Sequence, residues 1–209
     1  MFWTVTAGLV VAYLIGAIPT SVWLGRWFYG TDVRNAGSGN AGATNTFRVL
    51  GARAGVAVLL FDVAKGILAI WAGRLWVPED ERALWLDAAL GLAAAYGHIF
   101  PIYLGFRGGK GVATLFGVVL YLFPKAAMIS AAVFLVVLIC TRIVSLSSLS
   151  GALVLPAAIW LTVAEPRTIP VLFGVLALFT VLYTHRQNII RLRQGTEPRL
   201  IFARSTKKR

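Results

Sequence analysis

Residues 3–25, WTVTAGLVVAYLIGAIPTSVWLG, form an apolar run that is free of charged residues up to Arg26. About 20 apolar residues in a helix suffice to cross a hydrocarbon layer of roughly 30 Å. A secretory signal peptide would carry positive charges ahead of such a run, and none precedes this one. We therefore predict that residues 3–25 are a retained transmembrane helix.

The remainder of the 209-residue chain has a similar composition. Hydrophobic residues make up 58% of it and the mean hydropathy is +0.78, which argues against a soluble globular domain. The apolar runs alternate with short polar clusters, which predicts one all-α domain over residues 1–209, a polytopic membrane protein with seven transmembrane helices. The six further predicted spans are 54–73, 84–104, 112–123, 126–144, 152–163 and 169–184.

Positive charge is unevenly distributed between the two sides of these spans. Fifteen of the twenty Lys and Arg residues lie on the side of the C-terminus and four on the other, with Lys65 inside a span. The positive-inside rule then predicts an external N-terminus and a cytoplasmic C-terminus. Residues 37–48, 105–114, 145–150 and 185–197 are polar clusters, and all four fall on the cytoplasmic face in this topology. Their convergence predicts a single site.

The first cluster, GSGNAGATNTFR at residues 37–48, has the composition of an anion site. Glycines allow successive backbone N–H groups to point into one concavity, small polar side chains add donors, and Arg48 adds charge. A flexible linker between two helices has the same composition, so both interpretations remain open on this stretch alone.

The second cluster places Lys110 among glycines in GFRGGKGVAT, residues 105–114. Such a loop leaves backbone N–H groups open around an ammonium group, although a glycine turn with its Lys at the lipid headgroups is an alternative. No Ser or Thr follows Lys110 directly, so the loop departs from a nucleotide-binding P-loop. In the last cluster, His185 and Asn188 are three residues apart and share a helix face, either in an anion site or in a structural role.

Two further features lie inside predicted spans. Asp62 and Lys65 are three residues apart, and charges in hydrocarbon are usually paired and turned inward. We predict an interior ion pair that braces the site or acts in it. His98, in an apolar run before Pro101, is interpreted as a packing histidine.

Several kinds of chemistry leave no trace in the sequence. With two His and one Cys, a protein-built zinc site is improbable, and we predict neither a metal nor a cofactor. A G-x-S-x-G nucleophile motif is absent, as is a His-x4-Asp pair. The net charge of +12 suits an anionic lipid surface or substrate better than nucleic acid. A site rich in phosphate binders and poor in bases suits a reaction whose leaving group is already phosphate, with rate gained from positioning and charge stabilisation.

Three multi-residue motifs together resemble those of the PlsY family. The members of this family are the bacterial membrane glycerol-3-phosphate acyltransferases that use acyl phosphate. The matching patterns are G-S-G-N-x-G-A-T-N-x-x-R from residue 37, G-G-K-G-V-A-T from residue 108, and H-x-x-N-I-x-R-L-x-x-G-x-E from residue 185. The resemblance implies that acyl phosphate and sn-glycerol 3-phosphate react to give lysophosphatidic acid and inorganic phosphate. It also implies a seven-helix enzyme in the inner membrane, surrounded by lipid, with a cytoplasmic site and no obligatory protein partner.

The resemblance also implies roles for individual residues. Catalytic roles fall to Arg48, Lys110, His185 and Asn188. The base that takes the proton of the glycerol hydroxyl is either His185 or the phosphate of the donor, and the scarcity of protein bases favours the phosphate. Substrate-binding roles fall to Ser38, Gly39, Asn40, Thr44, Asn45, Gly108, Gly109, Gly111, Thr114, Ser145 and Ser148.

Two other classes of protein are alternatives to an enzyme. A transporter for a phosphorylated small molecule would also need a phosphate site between helices, but transporters tend to place such sites near the midplane and to contain inverted repeats. The polar clusters here lie at one face, and the sequence shows no internal repeat. A non-catalytic lipid-binding scaffold does not explain Arg48 and Lys110 within glycine-rich stretches.

Overall fold

The computed structural model describes residues 2–200, in which helices and turns occur without any β-strand, and the all-α prediction is confirmed. The last basic residues of the predicted cytoplasmic tail, from Arg204 onward, lie outside this range. The α helices of the described range are α1 (Phe2–Gly16), α2 (Thr20–Tyr29), α3 (Ala43–Leu50), α4 (Ala52–Arg74), α5 (Leu84–Ile99), α6 (Val112–Leu122), α7 (Pro124–Thr141), α8 (Val144–Thr162), α9 (Thr168–Thr184) and α10 (Arg186–Arg193).

Helix length separates the predicted spans into two groups. Within residues 2–200, four stretches are long and apolar enough to cross a membrane: Phe2–Tyr29, α4, α7 and α8. Helix α9 makes a fifth when it is counted together with α10, from which it is separated by a bend of 64°. Helices α5 and α6, with 16 and 11 residues, are shorter. Each of the seven predicted spans nevertheless corresponds to helical structure.

The first span differs from the prediction because its helix is broken. Helix α1 ends at Gly16 and α2 begins at Thr20, whereas residues 3–25 were predicted to form one helix. Pro19 explains the break, because proline has no N–H group and disfavours helical geometry in the residue before it. The carbonyl of Ile18 is left outside both helices and accepts a hydrogen bond from Lys65 Nζ at 2.9 Å.

The serine cluster also differs from the prediction. Residues 145–150 were expected to form a polar segment between two spans. They instead form the first turns of α8, which is continuous from Val144 to Thr162. The hydroxyls of Ser147 and Ser148 donate to the carbonyls of Ile143 and Val144, so the helix satisfies them internally. The chain reverses just before α8, where Arg142 adopts the left-handed conformation with φ +59°.

Small residues bring α1, α4, α5 and α6 into close contact. A Cβ atom on Gly16 would lie 2.0 Å from the carbonyl oxygen of Ala94, so α1 and α5 pack backbone to backbone there. Membrane helices associate largely through such packing, since lipid is as apolar as the side chains themselves. Helix α7 is the exception: its buried residues are Ala126 and Ala127 near its start.

A polar cluster ties these helices together at one end of the bundle. Arg74, the last residue of α4, pairs with buried Asp87 on the first turn of α5, and Arg74 Nη1 donates to Tyr121 Oη near the end of α6 at 3.0 Å. Because α4, α5 and α6 alternate in direction, the start of α4, the end of α5 and the start of α6 meet at the opposite end. The polar clusters at residues 37–48 and 105–111 lie there.

Candidate functional site

A chain of short hydrogen bonds joins the loop before α6 to α10 and the residues that follow it. Lys110, in the loop before α6, donates from Nζ to Asn188 Oδ1 on α10 at 2.5 Å. Asn188 Nδ2 in turn donates to Glu197 Oε1 at 2.5 Å. The structure therefore brings together two of the predicted catalytic residues, and it adds Glu197, to which the sequence analysis assigned no role.

Glu197 is the centre of this arrangement. Its side chain is 5% exposed, and it accepts hydrogen bonds from Ser145 Oγ and Arg191 Nε, both at 2.7 Å. Burial alone would raise the pKa of the Glu197 carboxyl, but the hydrogen bonds from Ser145, Arg191 and Asn188 lower that pKa below its ordinary value. Glu197 is therefore ionised at neutral pH. One sequence signal could have identified it, since Glu197 is the sole acidic residue of the basic cluster 185–197.

Positively charged side chains outnumber negatively charged ones around Lys110. Burial lowers the pKa of the Lys110 ammonium to about 8, Glu197 opposes this, and the positive charges of Arg191 and Arg48 lower it further. Arg48, although at the end of α3, is thus electrostatically coupled to Lys110. We refer to Lys110, Arg48, Arg191, Asn188 and Glu197 as the cationic cluster. Its three cations outnumber its one carboxylate, which favours a bound anion.

His185 connects α9 to α10 beside this cluster. Its Nδ1 lies 2.9 Å from the carbonyl oxygen of Val181, and because a carbonyl only accepts, Nδ1 carries the proton and Nε2 is the acceptor nitrogen. Burial and the nearby Lys110 charge lower the pKa of His185 to about 4. The imidazole is therefore neutral at pH 7. Thr184 Oγ1 also donates to the Lys110 carbonyl at 3.3 Å, which ties α9 to the lysine loop.

The backbone of residues 37–48 is less open than the sequence predicted. Residues 43–48 belong to α3, and three amides of the preceding loop are bonded within the loop or to α3, so they are unavailable to an anion. These bonds run from Ser38 N to Asn45 Oδ1 at 2.8 Å, from Gly39 N to the Ala36 carbonyl at 3.2 Å, and from Gly42 N to the Asn40 carbonyl at 3.1 Å.

Asn45 holds this loop in place from the inside. It is 1% exposed, and its Nδ2 donates to the carbonyls of Val33 and Ala36 at 2.6 and 3.1 Å. Its amide group is thus committed to the loop and not presented to a ligand, in contrast to the expectation of a substrate-binding side chain. Of the other residues predicted in this stretch, Ser38, Gly39 and Arg48 are exposed, and Asn40 and Thr44 are half-buried.

The glycines before Lys110 serve close packing. The amides of Gly108 and Gly109 donate to the carbonyls of Ile99 and His98, both at 3.1 Å, so they are not the open amides that the sequence predicted. A Cβ atom on Gly109 would lie 2.1 Å from His98 Nε2, which explains the absence of a side chain there. Gly111 has a φ of +76°, a left-handed conformation that glycine adopts without strain, and α6 begins directly after it.

Two predicted substrate-binding hydroxyls lie away from the cationic cluster. Thr114 is fully buried against α4, where a Cβ atom on Gly66 would lie 2.3 Å from the Thr114 carbonyl oxygen. The Ser148 hydroxyl is bonded to the Val144 carbonyl at 3.0 Å. Ser145, in contrast, reaches the cluster through Glu197.

Asp62 and Lys65 form an ion pair with Nζ–Oδ1 at 2.7 Å, and both are buried. His98 is buried beside them, with Nδ1 3.7 Å from Asp62 Oδ1, so this packing histidine also faces a carboxylate. The sequence could not reveal this contact because Asp62 and His98 lie on different helices. Within residues 2–200, no three His, Cys, Asp or Glu side chains are grouped as in a metal site.

Replacing Asn45 should affect stability as well as activity. Asn45→Ala removes three hydrogen bonds from a buried position and leaves their partners unpaired, so we expect a loss of about 1–3 kcal/mol in the free energy of unfolding along with reduced turnover. Arg48→Ala removes an exposed charge and should lower turnover with an unchanged melting temperature. Thermal unfolding of both purified variants tests this contrast, and an Asn45→Ala protein that is as stable as wild type would contradict it.

Comparison with known proteins adds independent information. The family model described as glycerol-3-phosphate acyltransferase matches residues 6–195. A glycerol-3-phosphate acyltransferase of Enterococcus faecalis is 42% identical over 210 residues, covering 96% of this chain and 94% of the relative. One from Fusobacterium nucleatum is 43% identical, covering 93% and 97%.

Two solved structures share the fold. The crystal structure of PlsY (YgiH), an integral membrane glycerol 3-phosphate acyltransferase, in its glycerol 3-phosphate form has a TM-score of 0.84 and 34% identity, covering 94% of this chain and 96% of that one. The lysophosphatidic acid form has a TM-score of 0.82 and 32% identity, covering 94% and 95%.

Proposed function

Because this chain belongs to the glycerol-3-phosphate acyltransferase family of integral membrane proteins, we propose that it transfers the acyl group of acyl phosphate to the 1-hydroxyl of sn-glycerol 3-phosphate. The products are lysophosphatidic acid and inorganic phosphate, and the reaction is the first acylation of phospholipid biosynthesis. Acyl-CoA, an acyl carrier, a cofactor and a protein partner are not required in this scheme.

The observation that carries the proposal is the cationic cluster. Lys110 and Arg191 lie near a single carboxylate, Glu197, whose charge is balanced by its ion pair with Arg191, and Arg48 adds positive charge near Lys110. The remaining positive charge suits a phosphate dianion, and Arg and Lys are the side chains that bind phosphate most effectively. Both proposed substrates carry a phosphate, so one cluster can anchor the acceptor and stabilise charge on the donor.

The chemistry then follows from positioning. The glycerol hydroxyl oxygen attacks the acyl carbon, the bond between that carbon and the bridging phosphate oxygen breaks, and phosphate leaves with the electron pair. In this scheme Lys110 and Arg48 bind the glycerol phosphate group, and Asn188 donates to the oxyanion that develops on the acyl carbonyl. Ser38, Asn40 and Thr44 are proposed to contact the donor phosphate with their side chains, whereas the Gly39 amide is already bonded to the Ala36 carbonyl. The amides of Ala43 and Thr44 at the start of α3 are proposed to contribute as well, since those of Asn45 and Thr46 are bonded to the Gly42 carbonyl.

The proposal includes a topology. Seven crossings are obtained if α5 and α6 cross the membrane along with the longer helices and α1–α2 counts as one broken span. With the positive-inside rule, the N-terminus is then external and the cationic cluster faces the cytoplasm, in the inner membrane of a bacterium. The burial of α5 and α6 against α4 supports this, because a short helix surrounded by protein needs less contact with lipid.

We propose that the donor phosphate, and not His185, takes the proton of the hydroxyl. A histidine with a pKa of about 4 is a weak base, and its neutral Nε2 serves better as a hydrogen-bond acceptor that orients the hydroxyl. His185→Ala should therefore raise KM for glycerol 3-phosphate more than it lowers kcat. Steady-state kinetics on the purified variant measure both constants. Complete loss of turnover with intact substrate binding would assign the proton to His185 instead.

One assay tests the function as a whole. The protein, purified in detergent or reconstituted in a lipid mesophase, is given acyl phosphate and glycerol 3-phosphate, and inorganic phosphate and lysophosphatidic acid are both quantified. We expect the two products in equal amounts, and no lysophosphatidic acid when acyl-CoA replaces acyl phosphate. If phosphate is not released, the chain is not this enzyme. Product formation from acyl-CoA would overturn the proposed donor.

A further inference from the structure

A network of polar side chains lies next to the lysine loop. It consists of Thr20 at the start of α2, Asp62 and Lys65 on α4, and His98 on α5, and the last three are buried. The proposed reaction uses none of them. Burying charged groups costs free energy, so their presence calls for a role.

Asp62 and Lys65 fix the break between α1 and α2. Asp62 Oδ1 accepts a hydrogen bond from Thr20 Oγ1 at 3.0 Å and pairs with Lys65 Nζ at 2.7 Å. Lys65 Nζ also donates to the Ile18 carbonyl at the break at 2.9 Å, and the Thr20 amide donates to the same carbonyl at 3.0 Å. The ion pair is thus anchored on both sides of the break, and Asp62 has a defined position.

His98 connects this ion pair to the lysine loop. Its Nδ1 lies 3.7 Å from Asp62 Oδ1, and the opposite edge of its ring faces Gly109, since a Cβ atom there would lie 2.1 Å from Nε2. The His98 carbonyl accepts the Gly109 amide at 3.1 Å. His98 therefore contacts Gly109 through both its ring and its backbone, and Lys110 is the next residue along the chain.

The same glycine also touches the first glycine-rich stretch. A Cβ atom on Gly109 would lie 2.6 Å from the Ala41 carbonyl oxygen. Gly109 is therefore held between His98 on one side and residues 37–42 on the other. A change in the position of the imidazole changes the space available to Gly109, and Lys110 moves with it.

We propose that His98 is a positioning residue for Lys110. Asp62 orients the imidazole, the imidazole fixes Gly109, and Gly109 determines where the Lys110 ammonium meets Asn188. This inference rests on the proposed function, in which Lys110 binds the phosphate of glycerol 3-phosphate. A displacement of about 1 Å in such a group can cost about a hundredfold in rate, so a rigid support behind the loop has a direct effect on the reaction.

The test compares His98→Leu, which keeps the volume but loses the polar contact, with His98→Asn, whose side-chain amide can still donate toward Asp62. For His98→Leu we expect KM for glycerol 3-phosphate to rise by about tenfold or more, with KM for acyl phosphate little changed. His98→Asn should restore most of the affinity. The rise in melting temperature on adding glycerol 3-phosphate gives a second measure of binding that does not depend on turnover.

Tyr96→Phe is the matched control, because Tyr96 is also on α5 but its hydroxyl lies 3.5 Å from Thr180 Oγ1 on α9. It should leave both KM values unchanged.

Gly109→Ala disturbs the contact between His98 and Gly109 from the side of the loop. It should raise KM for glycerol 3-phosphate alone, as His98→Leu does, and it provides the test if His98→Leu fails to fold. Wild type that neither acylates nor binds glycerol 3-phosphate would refute the proposed function.

Three outcomes with an active wild type would refute the positioning role alone. The first is a folded His98→Leu or Gly109→Ala variant with normal KM for glycerol 3-phosphate. The second is an equal rise in both KM values together with a lower melting temperature, which indicates general destabilisation. The third is a His98→Asn variant as impaired as His98→Leu.

Discussion

Lys110→Met is expected to reduce kcat/KM for glycerol 3-phosphate by at least about 10²- to 10³-fold, the usual cost of removing a group that stabilises charge in a transition state. The ammonium belongs to the cationic cluster and lies 2.5 Å from Asn188 Oδ1, and Met keeps the length of the side chain while it removes the charge. Steady-state kinetics with acyl phosphate held at saturation measure the effect.

Lys125→Met is the matched control, since Lys125 is an exposed lysine at the start of α7 and outside the cluster. It should retain wild-type kinetics. A Lys110→Met enzyme with near-normal kcat/KM would remove Lys110 from the site.

The pKa of Lys110 gives this prediction a pH dependence. Because burial lowers the pKa to about 8, the free enzyme loses the Lys110 charge as the pH rises through 8, and kcat/KM should fall above that pH. Arginine stays protonated throughout this range. In Lys110→Arg, whatever the residual activity, the fall should therefore move to higher pH. If kcat/KM falls at the same alkaline pH in both proteins, a group other than Lys110 titrates there.

Glu197→Ala should have the second largest effect. It removes the acceptor of three hydrogen bonds and leaves Ser145, Asn188 and Arg191 without their common partner. Asn188 is then free to rotate away from Lys110, and Arg191 loses its counter-charge. We expect kcat to fall by about 10²-fold, because misplacement of supporting groups has effects of that size.

Glu79→Ala provides the comparison, because the Glu79 side chain is 89% exposed and its ion pair with Arg82 is a surface contact. Surface pairs contribute little, so activity and stability should both be unchanged. The measurement is kcat at saturating concentrations of both substrates. A Glu197→Ala enzyme with full kcat would mean that Asn188 and Lys110 do not need this carboxylate.

Hydropathy predicted much of the fold. Apolar runs identified helical segments because lipid allows few alternatives for backbone hydrogen bonds. The break at Pro19 and the continuity of α8 through Ser145–Ser150 were missed for opposite reasons. A single proline can end a helix within a run that is apolar throughout, whereas serines within a helix can bond to preceding carbonyls and need no loop.

The sequence identified several residues of the candidate site but not the hydrogen bonds between them. The motifs identified Lys110, His185 and Asn188, because charged and polar residues in glycine-rich or terminal positions are conspicuous in an apolar chain. Local composition could not show which amides are already bonded. The amides of Gly108 and Gly109 were expected to be free for a ligand, but they donate to carbonyls at the end of α5. Contacts between distant segments, such as Glu197 with Ser145, depend on the packing of whole helices.

The segment after α10 completes the cationic cluster, and this has a consequence for the order of synthesis. Asn188, the partner of Lys110, comes 78 positions after it in the chain, and Glu197 comes later still. The amide of Leu200 also donates to the Arg142 carbonyl at 2.7 Å, which closes this segment over the turn between α7 and α8. A nascent chain can therefore insert α1 to α9 into the membrane while its cluster is still incomplete. The cationic cluster is complete only when the segment that carries Glu197 has left the ribosome and folded back onto the bundle.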